Sequence, residues 1–407
     1  MVAIGDELVT GQCVDTNSAW LAGALGAAGC AVGRVTVIGD GQADVVDALR
    51  AACLRSRVVV TTGGLGPTVD DRTRAACAEL AGVRSYFDEA AWRDIEALFR
   101  AMGRPDPSKI AQSNRLQAEF PVGSRVLPNR CGTAPGFALE VGNATLFALP
   151  GVPHEMRAMW QEQVVPHLAT LAGGALHSRL LHVIGCTEAQ LGERIGGFMA
   201  EGAATRVGIT ASQGQLTIRV LGFDAAQVDA IAGTLRHEVG ALLVYEGHHS
   251  LADELVQRLR ARGVSLATAE SCTGGLLGGA ITACPGASEV FLGGFVTYSD
   301  AAKARDLGVD PELIAEYGAV SEPVAAAMAQ GVAERTGARI GVSITGVAGP
   351  TGGTPAKPVG TVCFGLSVDG ASSSTERRFG ALGRELVRQR SVREALLQVV
   401  RSLRGID

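Results

Sequence analysis

The sequence predicts an α/β protein built from three structural parts. Strand and helix patterns alternate along the chain, 47% of its 407 residues are apolar, and 54 glycines supply tight turns between layers. This length exceeds that of one average domain, and the apolar content suffices for several buried cores. We therefore expect three domains, at residues 1–170, 175–247 and 250–407.

Composition argues against several classes of function. The net charge is −5 and no run of basic residues occurs, so we expect no general nucleic-acid binding. The nine cysteines are scattered and form no C-x-x-C pair, which argues against a disulfide framework or a zinc site and favours a reducing compartment. We recognise no signal peptide, and no apolar stretch of about 18 residues is free of charged or turn residues. These features predict a cytoplasmic enzyme and no membrane partner.

The first segment has the pattern of a βαβ-rich unit. We expect these elements in order: a strand at 2–4, a helix at 15–28, a strand at 32–38, a helix at 43–55 and a strand at 58–62. The loop GGLGPTVDD at 63–71 follows the last strand. Its backbone N–H groups suit a phosphate, and Asp70 and Asp71 can hold a divalent cation against it. Taken singly, this loop is only a turn, and paired aspartates usually mark the start of a helix.

The middle segment has a different rhythm, with the predicted order βαββαβ. We expect strands at 180–184, 206–211, 215–221 and 242–245, with helices at 188–199 and 225–238. This order predicts a small α+β domain of the split-βαβ type. The segment carries no catalytic constellation, so we expect it to space or pair the flanking domains.

The third segment carries a candidate nucleophile, Ser271, where a strand at 264–267 is expected to turn into a helix. Backbone N–H groups after such a turn can stabilise an oxyanion. No histidine follows His249, so a triad completed within this domain needs another base. Lys303 is one of only three lysines among the 36 basic residues, and Ser–Lys pairs are a known solution. A lysine acts as a base only if burial or nearby positive charge lowers its pKa.

Several neighbouring residues leave alternatives open. Tyr298 can relay a proton or orient the amine of Lys303. Cys272 is a rival nucleophile, although a cysteine beside a strand end is more often core filler. Glu270 either orients Lys303 or caps the following helix. A second glycine-rich loop, at 345–354, suits a phosphate or is only a turn.

The motifs of the third segment occur in one order: ESCTGG at 270–275, Tyr298-Ser299 with Lys303, GAVS at 318–321, and the loop from 345 to 360. This set resembles the C-terminal domain of the CinA family (competence/damage-inducible protein A), an amidohydrolase domain. The resemblance implies hydrolysis of nicotinamide mononucleotide (NMN) to nicotinic acid mononucleotide and ammonia, without a cofactor. It also implies Ser271 as nucleophile, Lys303 as general base and Tyr298 as their support. The implied substrate-binding residues are Glu270, Thr273, Gly274, Gly275, Thr345, Gly346, Gly349, Lys357 and Arg384.

A second ordered set, at 5–8, 15–17, 37–40, 61–71, 131–136 and 149–156, resembles the N-terminal domain of the same family, which is similar to the molybdopterin-binding fold of MogA-type proteins. The resemblance implies hydrolysis of a nucleotide pyrophosphate such as ADP-ribose with a divalent metal (Mg, Mn or Co), and leaves a role for K⁺ open. Asp40 and Asp71 would hold the metal. The implied substrate-binding residues are Asn17, Gly63, Gly64, Gly66, Thr68, Thr133 and Glu155. Leu116 departs from the family, whose members often have a basic residue there, and this departure predicts weak pyrophosphatase activity if that residue contacts phosphate.

Two other readings compete with a two-site nucleotide hydrolase. In one, the first domain binds molybdopterin or transfers an adenylyl group, an idea that rests on the fold alone. In the other, the chain is a non-catalytic adaptor associated with competence. The family resemblance also implies a homodimer.

Overall fold

The computed structural model describes residues 1–102, 112–171, 176–200, 203–212 and 214–403. The chain forms two compact units. One contains Met1–Ser178 and Leu221–Val228, and the other contains Arg179–Val220 together with the chain from Asp229 onward. Among the described helices, none combines the length and the apolar composition needed to cross a membrane.

The N-terminal unit is built on a six-stranded sheet. The unit has eight strands, of which six form this sheet. They are β1 Val2–Ile4, β2 Thr36–Ile38, β3 Val58–Thr62, β4 Ser85–Phe87, β5 Glu119–Pro121, β6 Arg125–Leu127, β7 Gly136–Val141 and β8 Ala144–Leu149. The large sheet has the order β2-β1-β3-β8-β7-β6, and β4 pairs with β5 separately. The neighbours from β2 to β8 are parallel, whereas β7 and β6 run antiparallel to their neighbours.

Helices cover both faces of this sheet. They are α1 Asp6–Val9, α2 Thr16–Ala27, α3 Gln42–Arg55, α4 Thr73–Ala81, α5 Glu89–Ala101, α6 Pro153–Met159 and α7 Val165–Leu171, with a 3₁₀ turn at Gln112–Ala118 and a π-helical turn at Trp160–Val164. Val59 and Val60 belong to two different buried clusters, because successive side chains of a strand point to opposite faces. The sheet therefore has a core on each side, as the predicted α/β class requires.

The middle segment forms a four-stranded sheet with the order β10-β11-β9-β12. Its elements are β9 His177–Val183, α8 Glu188–Ile195, β10 Arg206–Ser212, β11 Gln215–Gly222, α9 Ala225–Val239 and β12 Leu243–Glu246. The predicted βαββαβ order is confirmed. Val244 and Tyr245 of β12 belong to the same buried cluster as the C-terminal helices, so this strand is part of the C-terminal core.

The C-terminal segment is a three-layer α/β structure. Its elements are α10 Leu251–Arg262, β13 Leu266–Glu270, α11 Leu276–Thr282, β14 Phe291–Val296, α12 Asp300–Leu307, α13 Pro311–Tyr317, α14 Glu322–Thr336, β15 Ile340–Gly346, β16 Thr361–Val368, β17 Ala371–Arg378 and α15 Arg384–Ser402. The sheet order is β14-β13-β15-β16-β17, with β14, β13 and β15 parallel. One buried cluster joins α10, α11 and α15 to one face, and another joins α12, α13 and α14 to the other face.

The predicted bounds of several elements were wrong, and β9 begins at His177 rather than at residue 180. The second strand begins at Thr36 rather than at residue 32, the helix after Glu188 ends at Ile195 rather than at 199, and β13 runs from Leu266 to Glu270 rather than from 264 to 267. The last difference matters most, because it makes Glu270 the final residue of a buried strand and puts Ser271 directly after it. The alanines and Thr268 within β13 gave no signal that separates a strand from the turn that follows.

Candidate functional site

Ser271 lies at the carboxyl edge of the C-terminal sheet, between two neighbouring strands. Glu270 is opposite Val296 of β14 and Ile344 of β15 in the strand register. The Ser271 N–H donates to Ile344 O at 2.9 Å, and the Thr297 N–H donates to Glu270 O at 2.8 Å. The register therefore brings Ser271 beside Thr297 on one side and Thr345 on the other. The carboxyl ends of parallel strands are the usual location of ligand sites in such sheets.

Lys303 is brought to this edge by α12. Its side chain is only 1% exposed, and its Nζ donates to Thr297 O at 3.2 Å. The nearest acidic partner is the exposed Asp300, whose Oδ1 lies 3.7 Å from Nζ. Burial lowers the pKa of the Lys303 amine, and the charge of Asp300 opposes this shift. A buried amine with a lowered pKa is the state that a general base requires.

Glu270 holds the start of α11. Its carboxylate is 1% exposed and accepts hydrogen bonds from the N–H groups of Gly275, Leu277 and Gly278, at 3.0, 3.0 and 2.8 Å. A carboxylate is favourable there because backbone donors and the helix dipole converge at a helix N-terminus. Of the two alternatives left open for Glu270, the structure has the capping one.

The loop after Ser271 has two left-handed glycines and an arginine anchor. Gly274 and Gly275 have φ angles of 61° and 94°, which non-glycine residues rarely adopt. Their N–H groups donate to Ser271 O and to the Glu270 carboxylate, respectively, so both are used inside the loop. Arg388 of α15 donates from Nε to Cys272 O at 3.1 Å and from Nη2 to Thr273 O at 2.9 Å.

Cys272 is poorly suited to be the nucleophile. Its side chain is buried, and burial raises the pKa of the thiol to about 11, although the charges of Arg384 and Arg388 oppose the shift. Since only the thiolate is a strong nucleophile, this thiol is unreactive near neutral pH.

The second glycine-rich loop and Arg384 are joined by side-chain contacts. Arg384 donates from Nη1 to Gly349 O at 2.9 Å and from Nη2 to the Tyr298 hydroxyl at 3.1 Å. Tyr298 itself is exposed and in contact with Arg384. Thr345 is buried and its Oγ1 donates to Ala319 O at 2.7 Å.

Two further predicted residues hold this loop in place, one by close packing and one by a hydrogen bond. A Cβ atom at Gly346 would lie 3.0 Å from Thr361 O, so the strand approaches too closely for a side chain there. Lys357 donates from Nζ to Tyr317 O at 2.5 Å, which ties the loop to the end of α13.

In the N-terminal unit, the loop after β3 is shaped by three glycines. A Cβ at Gly63 would lie 2.1 Å from Ile4 O, and one at Gly64 would lie 2.3 Å from Thr73 Oγ1. At Gly66, the neighbour is the Asp71 carboxylate, which accepts from Gly66 N at 2.7 Å and from Thr68 N at 2.8 Å. Asp71 therefore closes the loop on itself with both carboxylate oxygens.

This loop borders a cavity of about 630 Å³. All but one of the residues predicted for the N-terminal site line it, namely Asn17, Asp40, Gly63, Gly64, Gly66, Asp71, Thr133 and Glu155. The exception is Thr68, which reaches the site only through its hydrogen bonds to Asp71. Glu155 accepts from Asn129 Nδ2 at 2.6 Å, and a Cβ at Gly132 would overlap its carboxylate, which explains the glycine in the Cys131–Thr133 motif.

Asp40 lies among other acidic groups. Its Oδ2 accepts from Asp6 N at 2.8 Å. Burial raises the pKa of the Asp40 carboxyl, and the charges of Asp6, Glu7 and Asp70 raise it further. The charges acting on Asp40 thus include Asp70, and the predicted partner Asp71 is not among them.

No preformed metal centre accompanies Asp40 in the described part of the chain, where no group of three or more His, Cys, Asp or Glu side chains is arranged to hold a metal ion. The carboxylates do have the chemistry that Mg²⁺ prefers, and Mg²⁺ in nucleotide sites is commonly held by one or two carboxylates plus substrate phosphates. Asp40 and Asp71 as a metal pair therefore stay a prediction.

Comparison with known proteins identifies the family. Known family descriptions match in three places: a probable molybdopterin binding domain at 1–170, the damage-inducible protein CinA KH domain at 178–244 and the CinA C-terminal domain at 248–403. A CinA-like protein of Anaeromyxobacter sp. (strain Fw109-5) is 42% identical over 401 residues, which cover 97% of both chains. The chain belongs to the CinA family.

Other CinA proteins match all or part of the chain. A putative competence-damage inducible protein of Clostridium novyi (strain NT) is 37% identical over 409 residues, covering 99% of this chain and 98% of that protein. Among solved structures, the competence/damage inducible protein CihA from Agrobacterium tumefaciens is 40% identical and covers 39% of this chain and 98% of its own, with a TM-score of 0.36. The three domain matches and the full-length relatives confirm the predicted family, and the helix-covered sheets confirm the predicted α/β class.

The sequence analysis missed some residues that shape the two candidate sites. Arg388 lies one helical turn after Arg384 on α15. Residues four apart lie on the same side of a helix, so this spacing could have indicated Arg388 from the sequence. Arg74 is buried and donates to Leu65 O at 2.8 Å and Pro135 O at 3.0 Å, so it joins two loops of the N-terminal site. Nothing local in the sequence indicates that this arginine is buried. Leu116, the departure from the family pattern, is exposed and is not among the residues that line the cavity.

Proposed function

We propose that the C-terminal domain hydrolyses the amide of NMN, with Ser271 as nucleophile and Lys303 as general base. The observation that carries this proposal is the strand register. Its last pair is Glu270 opposite Val296, so the next residues are Ser271 on one strand and, on the other, Thr297, whose carbonyl oxygen accepts from the buried Lys303 amine. In the described structure the Ser271 hydroxyl makes no hydrogen bond to another protein group, which leaves it available for a base and a substrate.

The chemistry follows in two steps. Uncharged Lys303 accepts the Ser271 proton as Oγ bonds to the amide carbon, and the tetrahedral intermediate then expels the nitrogen, which takes that proton and leaves as ammonia. Water attacks the resulting ester with the same base. This restores Ser271 and releases nicotinic acid mononucleotide.

The oxyanion is stabilised by backbone N–H groups of the loop after Ser271. Gly274 and Gly275 donate within the loop, whereas the Thr273 N–H donates to no protein acceptor in the described structure. Arg388 binds Cys272 O, and in a trans peptide the adjoining Thr273 N–H points the opposite way. Arg388 therefore positions a donor of the kind an oxyanion hole requires.

The phosphate of NMN binds to Arg384, which contacts both Gly349 and Tyr298 at the mouth of this site. Arginine suits this role because its planar guanidinium can donate two parallel hydrogen bonds to phosphate oxygens. Lys357, on the same loop, adds a second positive charge.

Ammonia release from NMN by the full-length protein tests this proposal, comparing the wild type with Ser271→Ala, Lys303→Arg and Cys272→Ala. The arginine variant keeps a positive charge but lacks a usable base. We expect kcat to fall at least about 1,000-fold in the first two variants, because residues of one catalytic unit fail together. The Cys272 variant should retain turnover. Absence of turnover in the wild type, or loss of activity only in the Cys272 variant, would contradict the proposal.

The N-terminal cavity favours a second activity, the metal-dependent hydrolysis of ADP-ribose or a similar pyrophosphate. The supporting observation is the glycine loop at its edge, where the N–H groups of Gly64 and Leu65 donate to no protein acceptor in the described residues. A divalent ion held by Asp40 and ligand phosphates would neutralise charge on the pyrophosphate. AMP formation from ADP-ribose with Mg²⁺, Mn²⁺ or Co²⁺, against an EDTA control, tests this activity. Binding of a pterin without cleavage of ADP-ribose would favour the molybdopterin reading instead.

A further inference from the structure

The N-terminal cavity is lined by acidic and neutral polar groups. Its described lining includes six carboxylates, those of Glu7, Asp15, Asp40, Asp70, Asp71 and Glu155, and contains no lysine, arginine or histidine. Among the described lining residues, therefore, no cationic side chain is available to orient a nucleotide. A metal cation can accompany the phosphates of a ligand. Apart from it, neutral hydrogen-bonding groups of the protein determine which ligand fits.

Gln117 is one such group, and its amide is incompletely bonded. It lies on the 3₁₀ turn Gln112–Ala118, lines the cavity and is 1% exposed. Its Nε2 donates to Thr133 Oγ1 at 3.3 Å, whereas its buried Oε1 has no hydrogen-bond partner. Exchanging the two amide atoms would leave the nitrogen unpaired instead, so one polar atom stays free in either orientation. Buried polar groups without a partner are unfavourable and uncommon in native proteins.

Asn17 repeats this arrangement on the same cavity, and its orientation is fixed. Its Nδ2 donates to Gly151 O at 2.7 Å and to Thr62 Oγ1 at 3.2 Å. Thr62 Oγ1 donates its own proton to Pro150 O, so it can only accept from Asn17. The free atom of Asn17 is therefore Oδ1, a hydrogen-bond acceptor that is also buried and without a partner.

From the free Oδ1 of Asn17, and the free Oε1 of Gln117 in the orientation that the structure has, we propose that Gln117 determines specificity in the N-terminal site by accepting a hydrogen bond from an uncharged donor group of a nucleotide ligand. The donor is a ribose hydroxyl or an exocyclic amine of the base. This inference rests on the nucleotide-binding activity proposed above for the N-terminal domain. Selection is strong in such a site, because a ligand without the donor leaves the buried acceptor unpaired.

The test measures Kd by calorimetry on the full-length protein with Mg²⁺, using the non-hydrolysable α,β-methylene analogue of ADP-ribose. Gln117→Met has nearly the same volume and removes both polar atoms, and Gln112→Met changes an exposed glutamine of the same turn. We expect Kd to rise about tenfold or more for Gln117→Met and to stay unchanged for Gln112→Met. Two further analogues, with inosine or 2′-deoxyadenosine in place of adenosine, identify the ligand group that donates to Gln117. The analogue that lacks this group should bind the wild type and Gln117→Met equally weakly.

Thermal unfolding separates this role from a structural one. Without ligand, Gln117→Met should unfold at a temperature equal to or above that of the wild type, because the variant buries no unpaired amide. Lower stability of the variant, or equal binding by variant and wild type, would overturn the specificity role. If the wild type binds none of the analogues, the nucleotide-binding activity itself is wrong, which is a different result.

Discussion

Glu270 is predicted to stabilise the loop after Ser271 and the start of α11. Glu270→Ala leaves three backbone N–H groups without their acceptor, those of Gly275, Leu277 and Gly278. A donor that loses its buried partner costs about 1–3 kcal/mol. At the lower end, three donors amount to about 3 kcal/mol, and loss of the negative charge at a helix N-terminus adds roughly 0.5 kcal/mol.

Hydrogen exchange followed by mass spectrometry measures this effect at Leu276–Thr282. A loss of about 3 kcal/mol corresponds to roughly 100-fold faster exchange of these amides, because each 1.4 kcal/mol is a factor of ten. Glu270→Gln keeps one acceptor oxygen and should show an intermediate effect. Glu312→Ala removes an exposed glutamate at the start of α13 and serves as the control. Exchange of these amides in Glu270→Ala within twofold of the wild type would refute the capping role.

Two further predictions concern Lys303 and Arg388. Burial lowers the pKa of Lys303 below that of the unfolded chain, so the unfolded state holds the proton more tightly and the lysine destabilises the fold most at pH values below its folded pKa. Lys303→Met should therefore raise the urea midpoint of the C-terminal domain at pH 7, and this increase should shrink as pH rises towards 10.5. Arg305→Met, on the exposed face of α12, is the control and should show no such trend. A Lys303→Met midpoint below that of the wild type at pH 7 would contradict the reasoning. Arg388→Met should lower kcat for NMN about tenfold or more, with a smaller change in KM, because the two charged hydrogen bonds to Cys272 O and Thr273 O are lost. Arg388→Lys should restore part of this rate, and an unchanged kcat in the methionine variant would show that the anchor is not needed.

Local sequence was sufficient for much of the fold and for the candidate residues. The periodicity of residues 43–55 predicted α3 to within one residue, and the β-branched run 58–62 predicted β3 with the bounds that the structure has. The helix buries one face at helical spacing and the strand is a short apolar run buried on both faces, so both patterns can be recognised without tertiary information.

The arrangement of the sites depended on the tertiary structure. Lys303 lies about thirty residues after Ser271 in the chain, and only the pairing of β13 with β14 and the burial of α12 brings its amine to Thr297 beside Ser271. Likewise, the sequence left two roles open for Glu270, and the folded loop has it as a cap. Residue type and local periodicity determined which groups were available. Register, burial and the pKa shifts that follow from burial arise from contacts distant in sequence, and so only the folded chain decided what those groups touch.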